Sequence, residues 1–321
     1  MPVIDILLDE LIDYAGLFPP AHLDMEPAVA AFERHRGGPR PAALGRFVLP
    51  VGRFDEFEKA VDGRLPAVPS VDDPEQSPEL WAISALVSPA EDTEAVRRDL
   101  EAIEAFNDRH TESGAGAAII DTIELRAGGG ESVDAVLDLL DDEIFPYFEL
   151  DHASDIRGTL AAIAGLDGGA KIRTGGVTAE AHPTVDQAAA FISACRMADV
   201  PFKATAGLHH AVRAHQASVD ATQFGFLNIF VGSALLHAGR VDEAGLREVL
   251  AEEDPAAFAC TDEAISWNGR VLEAEALAEA RTRFCHSFGS CSFDEPIDEL
   301  AALRWLPLAP TTSPPVSEES E

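Results

Sequence analysis

The sequence predicts an α/β protein, a (β/α)8 TIM barrel with a C-terminal helical extension, and two observations carry that reading. Short apolar runs recur eight times between residues 13 and 232, and several stretches between them place apolar residues at helical spacing behind acidic or Ser/Thr starts. Eight such units in about 240 residues fit a single barrel domain, 1–252, closed by roughly residue 252. An open doubly wound sheet would carry a Gly-rich dinucleotide turn after its first strand, and the sequence has none there.

In chain order the strand candidates are "DYAGLF" (13–18), "RFVLPV" (46–51), "LWAISALV" (80–87), "GAAIIDTIELRA" (116–127), "IFPYFELD" (144–151), "AKIRTG" (170–175), "PFKATAG" (201–207) and "FGFLNIFVG" (224–232). The helix candidates are "DMEPAVAAFERHR", "PAEDTEAVRRDLEAIEAFNDRH", "ESVDAVLDLLDD", "ASDIRGTLAAIAG" and "TVDQAAAFISACRMA". Residues 253–305 exceed eight units, and with "RVLEAEALAEARTRF" and "CHSFGSCSFDEPIDELAALRWL" they read as an ordered extension packed on the barrel. Residues 306–321, rich in Pro, Ser and Glu, read as a disordered tail.

Charge narrows the function. The 321 residues carry 57 Asp and Glu against 23 Lys and Arg, a net charge of -34. Such a surface repels nucleic acid and anionic membrane, and it reads as halophilic adaptation, because high salt screens the self-repulsion. No apolar run reaches the ~20 residues of a membrane helix. The start "MPVIDILLDELIDYAG" lacks the basic opening of a secretory signal, and four unevenly spaced cysteines make no disulfide framework. The expectation is a cytoplasmic protein, with a homo-oligomer left open.

The chain holds 20 arginines but three lysines, Lys59, Lys171 and Lys203. A lysine kept in so lysine-poor a chain points to a position where a neutral amine is needed, which arginine cannot supply. Strand side chains alternate, so Glu124 with Arg126, Glu149 with Asp151, Lys171 with Arg173, and Lys203 with Thr205 each share a face. Should that face be the lumen, these groups need mutual pairing or a ligand. Adjacent strands lie about 4.8 Å apart, so the Lys171 and Lys203 amines would repel, and one would lose its proton near neutral pH. A neutral buried amine forms a Schiff base with a carbonyl compound, and Glu124 or Glu149 would move the protons. A lumen salt-bridge network holding no ligand is the plain alternative.

The stretches "KIRTGGVTAEAHPTVDQAAAFI" and "VPFKATAGLHHAVR" resemble the strand six and seven region of deoxyribose-phosphate aldolase and its class I aldolase relatives. In those enzymes a Lys-Thr-Ser-Thr-Gly run holds the Schiff-base lysine, and a Lys-x-x-Gly-Gly-x-Arg run holds a second lysine that lowers its pKa. The resemblance implies a TIM-barrel lyase with Lys171 as the imine-forming residue, Thr174 and Gly175 completing its motif, and Lys203 as the modulating lysine. It also implies Glu124 of "TIELRA" as the proton-transfer carboxylate, and Gly232 and Ser233 of "FVGSALL" as a phosphate-binding turn after strand eight. This chain departs from the pattern at Ala206, which stands for the first glycine and leaves Gly207, at His209 for arginine, and at Arg173 for serine. The added guanidinium and imidazoles suit a carboxylate or other anion, so the expected substrate is a small anionic carbonyl compound. "DYAGLFPPA" and "FGSCSFDEP" resemble signature stretches of a further protein group and imply no reaction.

Several candidates remain open. His209 and His210 follow strand seven and either face the site or start a surface helix. Asn228, polar within an apolar run, needs a neighbour or a substrate to bond. Asp13 and Tyr14 end the first strand, where either could reach a ligand or Tyr14 could pack beneath it. "FGSCSFDEP" either covers the mouth, with Ser290, Cys291 and Ser292 near the ligand, or packs the extension. Cys260, Cys285, His286 and Cys291 match no zinc spacing. Glu149, Asp151 and His152 or His209 would define a rival metal-dependent lyase or hydrolase, and a non-covalent barrel for anionic small molecules is another rival. No metal and no cofactor are assigned.

Overall fold

Eight parallel strands close into a barrel in the computed structural model, which describes residues 1–67, 80–111, 116–217 and 219–307. The strands are β1 (Ile12–Tyr14), β2 (Leu44–Pro50), β3 (Trp81–Leu86), β4 (Ala118–Arg126), β5 (Phe145–Glu149), β6 (Gly169–Arg173), β7 (Phe202–Thr205) and β8 (Cys285–Ser290). Each pairs with its neighbour in sequence order, and β8 closes the ring against β1. Helices α1 (Val3–Leu8), α2 (Met25–Arg36), α3 (Phe54–Ala60), α4 (Thr93–Thr111), α5 (Gly130–Leu137), α6 (Arg157–Ile163) and α7 (Val185–Ala198) precede or separate the first seven strands. Local chemistry sets their ends. α7 opens on a capping box, in which Thr184 Oγ1 accepts from the Gln187 amide at 3.2 Å and Gln187 Oε1 accepts from the Thr184 amide at 2.8 Å.

The eighth strand is a correction. "FGFLNIFVG" lies largely in a helix, α8 (Phe226–His237), followed by α9 (Glu243–Ala251). Every residue from Phe226 to Leu235 is buried, because α8 is enclosed by the β8 wall, α9 and a small sheet. A run that is apolar all round carries no period by which a buried helix and a buried strand can be told apart. The strand that closes the barrel is "CHSFGS", whose small residues show no apolar pattern. Its Phe288 stacks on Phe226 with ring centroids 5.8 Å apart.

The expected barrel boundary at 252 therefore falls within the last β/α connection. Residues beyond it form an antiparallel sheet (Phe258–Cys260, Ala264–Trp267 and Arg270–Glu273), then α10 (Ala274–Arg283), β8, and α11 (Asp294–Ala302). Of these, β8 is a strand of the barrel itself, while the antiparallel sheet stands apart from the barrel strands. Of the expected tail, residues 308–321 lie outside the described residues. At the base, buried Arg281 donates to the carbonyls of Leu7 at 3.0 Å and Asp9 at 2.8 Å, and also to those of Cys285 and His286, joining α1 to the start of β8. Among the described residues, no helix is long and apolar enough to cross a membrane.

Candidate active site

A barrel lumen is ordinarily filled by branched apolar side chains. Here alternation puts charge into it. Lys171 and Lys203 are register partners on β6 and β7, as are Glu149 and Lys171 on β5 and β6. Lys171 Nζ lies 2.8 Å from Glu124 Oε2 and 2.8 Å from Glu149 Oε2. Lys203 Nζ lies 2.6 Å from Glu124 Oε1 and 2.6 Å from Asp13 Oδ2. Glu124 thus bridges both amines. Ser84 Oγ donates to Glu124 Oε1 at 2.7 Å, Ser287 Oγ to Asp13 Oδ2 at 2.7 Å, and the Arg46 amide to Asp13 Oδ1 at 2.8 Å. The Lys203 ammonium also lies 5.3 Å from the centre of the Tyr147 ring.

This arrangement corrects the expectation of mutual repulsion between the amines. Burial by itself would push Lys203 down, but Asp13 and Glu124 outweigh it and hold the ammonium above its ordinary range. Burial would likewise raise Glu124, but Lys171 and Lys203 drive it far below the usual carboxylate range, and Lys171 with Arg173 depresses Glu149. At Lys203 the two carboxylates favour the charged amine over the repulsion that would expel its proton.

A cavity of about 750 Å3 opens over the C-terminal strand ends. Glu124, Lys171, Arg173 and Thr205 line it from β4, β6 and β7. Phe18, Pro19 and Pro20 reach it from the segment after β1, and Cys291, Ser292 and Glu295 from the β8 end and α11. Lys203 does not line it and is fully buried, whereas Lys171, 5% exposed, meets the space. Arg173 extends into the cavity with Nε 3.3 Å from Glu149 Oε1.

The chain leaves β7 through three consecutive left-handed residues, Ala206 (φ 63°), Gly207 (φ 74°) and Leu208 (φ 59°). Ala206 and Gly207 line the cavity, as do His209 and His210 after them. A Cβ on Gly175 would stand 2.9 Å from the Gly207 amide nitrogen, so the ends of β6 and β7 approach too closely for a larger residue. Thr174 reinforces this junction, its buried Oγ1 donating to the Ala206 carbonyl at 2.7 Å.

Other expected site residues stand elsewhere. Asn228, Gly232 and Ser233 are buried within α8, away from the cavity, because the run holding them is helical. Asn228 is a structural hub: its Oδ1 accepts from the Arg213 and Gly225 amides at 2.8 and 3.2 Å, and its Nδ2 donates to the Val249 and Glu252 carbonyls at 2.8 and 2.9 Å. Asp151 lies past the end of β5, where alternation has ceased, and holds a turn by accepting from the Ala153 amide at 2.9 Å and Ser154 Oγ at 2.7 Å. Arg126 is exposed, with Nε 3.7 Å from Glu149 Oε1. Glu149, Asp151 and His209 each have other partners, and among the described residues no three His, Cys, Asp or Glu side chains gather as metal ligands.

Asp13, Ser84 and Ser287 complete the ion network and carried weaker signals in the sequence. Asp13 does stand out as a carboxylate among apolar residues, but the serines do not. Tyr14 packs against Phe32, His35 and Phe47 rather than facing the cavity. Lower in the barrel, the Tyr147 hydroxyl lies 2.6 Å from His286 Nδ1, and burial together with Arg281 pushes His286 down to about 4. Compared with models of protein families, with curated proteins and with solved structures, the chain matches none.

Proposed function

We propose that the protein is a lyase of the class I aldolase type, which makes or breaks a carbon-carbon bond of a small anionic carbonyl compound through an imine on Lys171. The observation that carries this reading is the position of Lys171: its amine meets the cavity while two carboxylates stand 2.8 Å away. In this reading Glu149, 2.8 Å from the amine, takes a proton from the ammonium as substrate enters, and the free amine attacks the carbonyl carbon. The carbinolamine then loses water, and the resulting iminium accepts the electron pair of the breaking bond. Lys203 keeps Glu124 ionised and oriented from beneath. Arg173 offers donors to the anionic end of the substrate. The resemblance of the β6 and β7 stretches to class I aldolases agrees with these roles, and a cytoplasmic, salt-adapted setting belongs to the same proposal.

A second reading has its own support. The resting network holds its lysines against carboxylates, which suits a barrel that binds an anion without covalent chemistry. Borohydride trapping separates the two. In high salt near neutral pH, a panel of small aldehydes and ketoacids is expected to leave a reduced adduct on the Lys171 peptide, absent from Lys171→Arg. Absence of any adduct, with the protein folded, would sink the imine reading. Retention of anion affinity in Lys171→Arg would then favour the binding one.

A further inference from the structure

Three side chains on the β7 and β8 side of the cavity make a relay that the imine chemistry does not use. Cys291 Sγ lies 3.9 Å from His209 Nε2, and His209 Nδ1 lies 2.7 Å from Glu295 Oε2. All three line the cavity that Lys171 meets. Their order has a chemical consequence. An ionised Glu295 accepts only, so His209 Nδ1 carries the hydrogen, and in the neutral ring Nε2 presents its lone pair to the thiol. A carboxylate that fixes the tautomer, an imidazole that takes the proton and a nucleophile beyond it is the arrangement by which weak nucleophiles are activated. Burial holds the Cys291 thiol up, so it is protonated at rest and depends on a base for attack.

We propose that Cys291, activated by His209 and oriented through Glu295, is a second nucleophile of this cavity, which adds to the carbonyl carbon of a small aldehyde as a reversible hemithioacetal. The sulfur-carbon bond forms as the carbonyl π bond opens, and the thiol proton passes through His209 Nε2 to the carbonyl oxygen. Nothing is oxidised or reduced. The inference rests on the lyase reading in one respect: the aldehyde is the class of fragment released when an iminium on Lys171 cleaves its substrate. Cys291 would hold that fragment within the cavity for the reverse, bond-forming direction.

The test is site-resolved alkylation of the full chain by iodoacetamide, with each cysteine followed by peptide mass spectrometry. Cys260, partly exposed and outside the cavity, is the internal reference. His209→Gln is expected to slow alkylation of Cys291 at pH 7 by about tenfold or more, Glu295→Gln by less, and neither to change Cys260. Acetaldehyde is expected to protect Cys291 in the wild type and equally in Lys171→Met. Cys291 reacting at the same rate in a folded His209→Gln would overturn the proposal. So would protection that vanishes in Lys171→Met, since the shield would then be an imine on Lys171, leaving the lyase reading intact. Protection of Cys291 in a protein that gives no borohydride adduct would sustain the thiol site while the imine reading fails.

Discussion

Lys171 and Cys291 face one cavity from unlike surroundings. The amine sits among ionised partners that are themselves buried, with Glu124 3% and Glu149 12% exposed at the side chain. The thiol has a single imidazole, whose carboxylate partner Glu295 is 60% exposed. On the β6 side, charge, geometry and stability are bound together, because no member can leave without stranding another in low dielectric. On the β8 side the relay ends in an exposed carboxylate, so chemistry can change there while the fold stays as it is. One cavity thus joins a wall whose charges hold the fold to a wall whose charges the fold does not depend on.

The largest expected effect tests the first half of that contrast. Glu124→Gln removes the charge shared by two buried amines and is expected to destabilise the protein by roughly 3–5 kcal/mol, read from denaturant unfolding. The pH profile checks the same claim without a mutation. Glu124 and Glu149 are depressed in the folded state, so their contribution is complete above the unfolded carboxylate value of about 4.3 and is lost as pH falls through the lower folded values. Lys203 is raised, so its contribution is complete below about 10.4 and is lost only as pH rises through its higher folded value. These groups therefore predict flat stability between about pH 5 and pH 10. Stability that instead climbs as pH rises from about 7 toward about 10 would show that an amine in the lumen is neutral at rest, and the contrast between the walls would collapse.

Next in size is Asn228→Ala, which acts on the β8 side from behind. Its Oδ1 accepts from the amide of Arg213, close after the turn carrying His209 and His210. Loss of its four hydrogen bonds inside the fold is expected to cost about 3 kcal/mol, and to broaden the environment of His209 in NMR spectra while Lys171 is unaffected. The sequence made these two sides unequally legible. From β4 to β7, charged residues at every second position in apolar runs betray a polar lumen, so Glu124, Glu149, Lys171 and Lys203 could be read directly. Asp13 carried the same signal in a strand only three residues long. β8 could not be read in this way. Its Cys, His, Ser and Gly residues lack the pattern of a strand because the lumen and α8 leave room for small side chains there. α8 attracted the strand assignment instead, since burial on all sides erases helical periodicity. Asn228, Gly232 and Ser233 were carried out of the site with it, and the relay went unseen because its three members are close only in space.

A smaller effect is expected at the hinge between the walls. Ala206 holds a left-handed conformation that costs an L-residue roughly 1–2 kcal/mol, part of which glycine returns as flexibility of the unfolded chain. Ala206→Gly is therefore expected to stabilise by about 1 kcal/mol or less. If it also weakens substrate binding or slows turnover, the strained alanine is retained to hold the turn after β7 still, as strained residues at functional sites are. A gain in stability with turnover unchanged would leave the strain without a role in the chemistry.

The smallest expected shift in stability is the most discriminating. His209→Gln and Glu295→Gln should each change unfolding free energy by no more than about 0.5 kcal/mol, since the affected hydrogen bonds end in a largely solvated carboxylate. The same substitutions are expected to alter the reactivity of Cys291 strongly. Such dissociation of reactivity from stability is what separates the β8 side from the β6 side, where Glu124→Gln should disturb both together. A loss of several kcal/mol on Glu295→Gln would place the relay within the structural frame, and α11, which carries Glu295, would then be a brace across the barrel mouth.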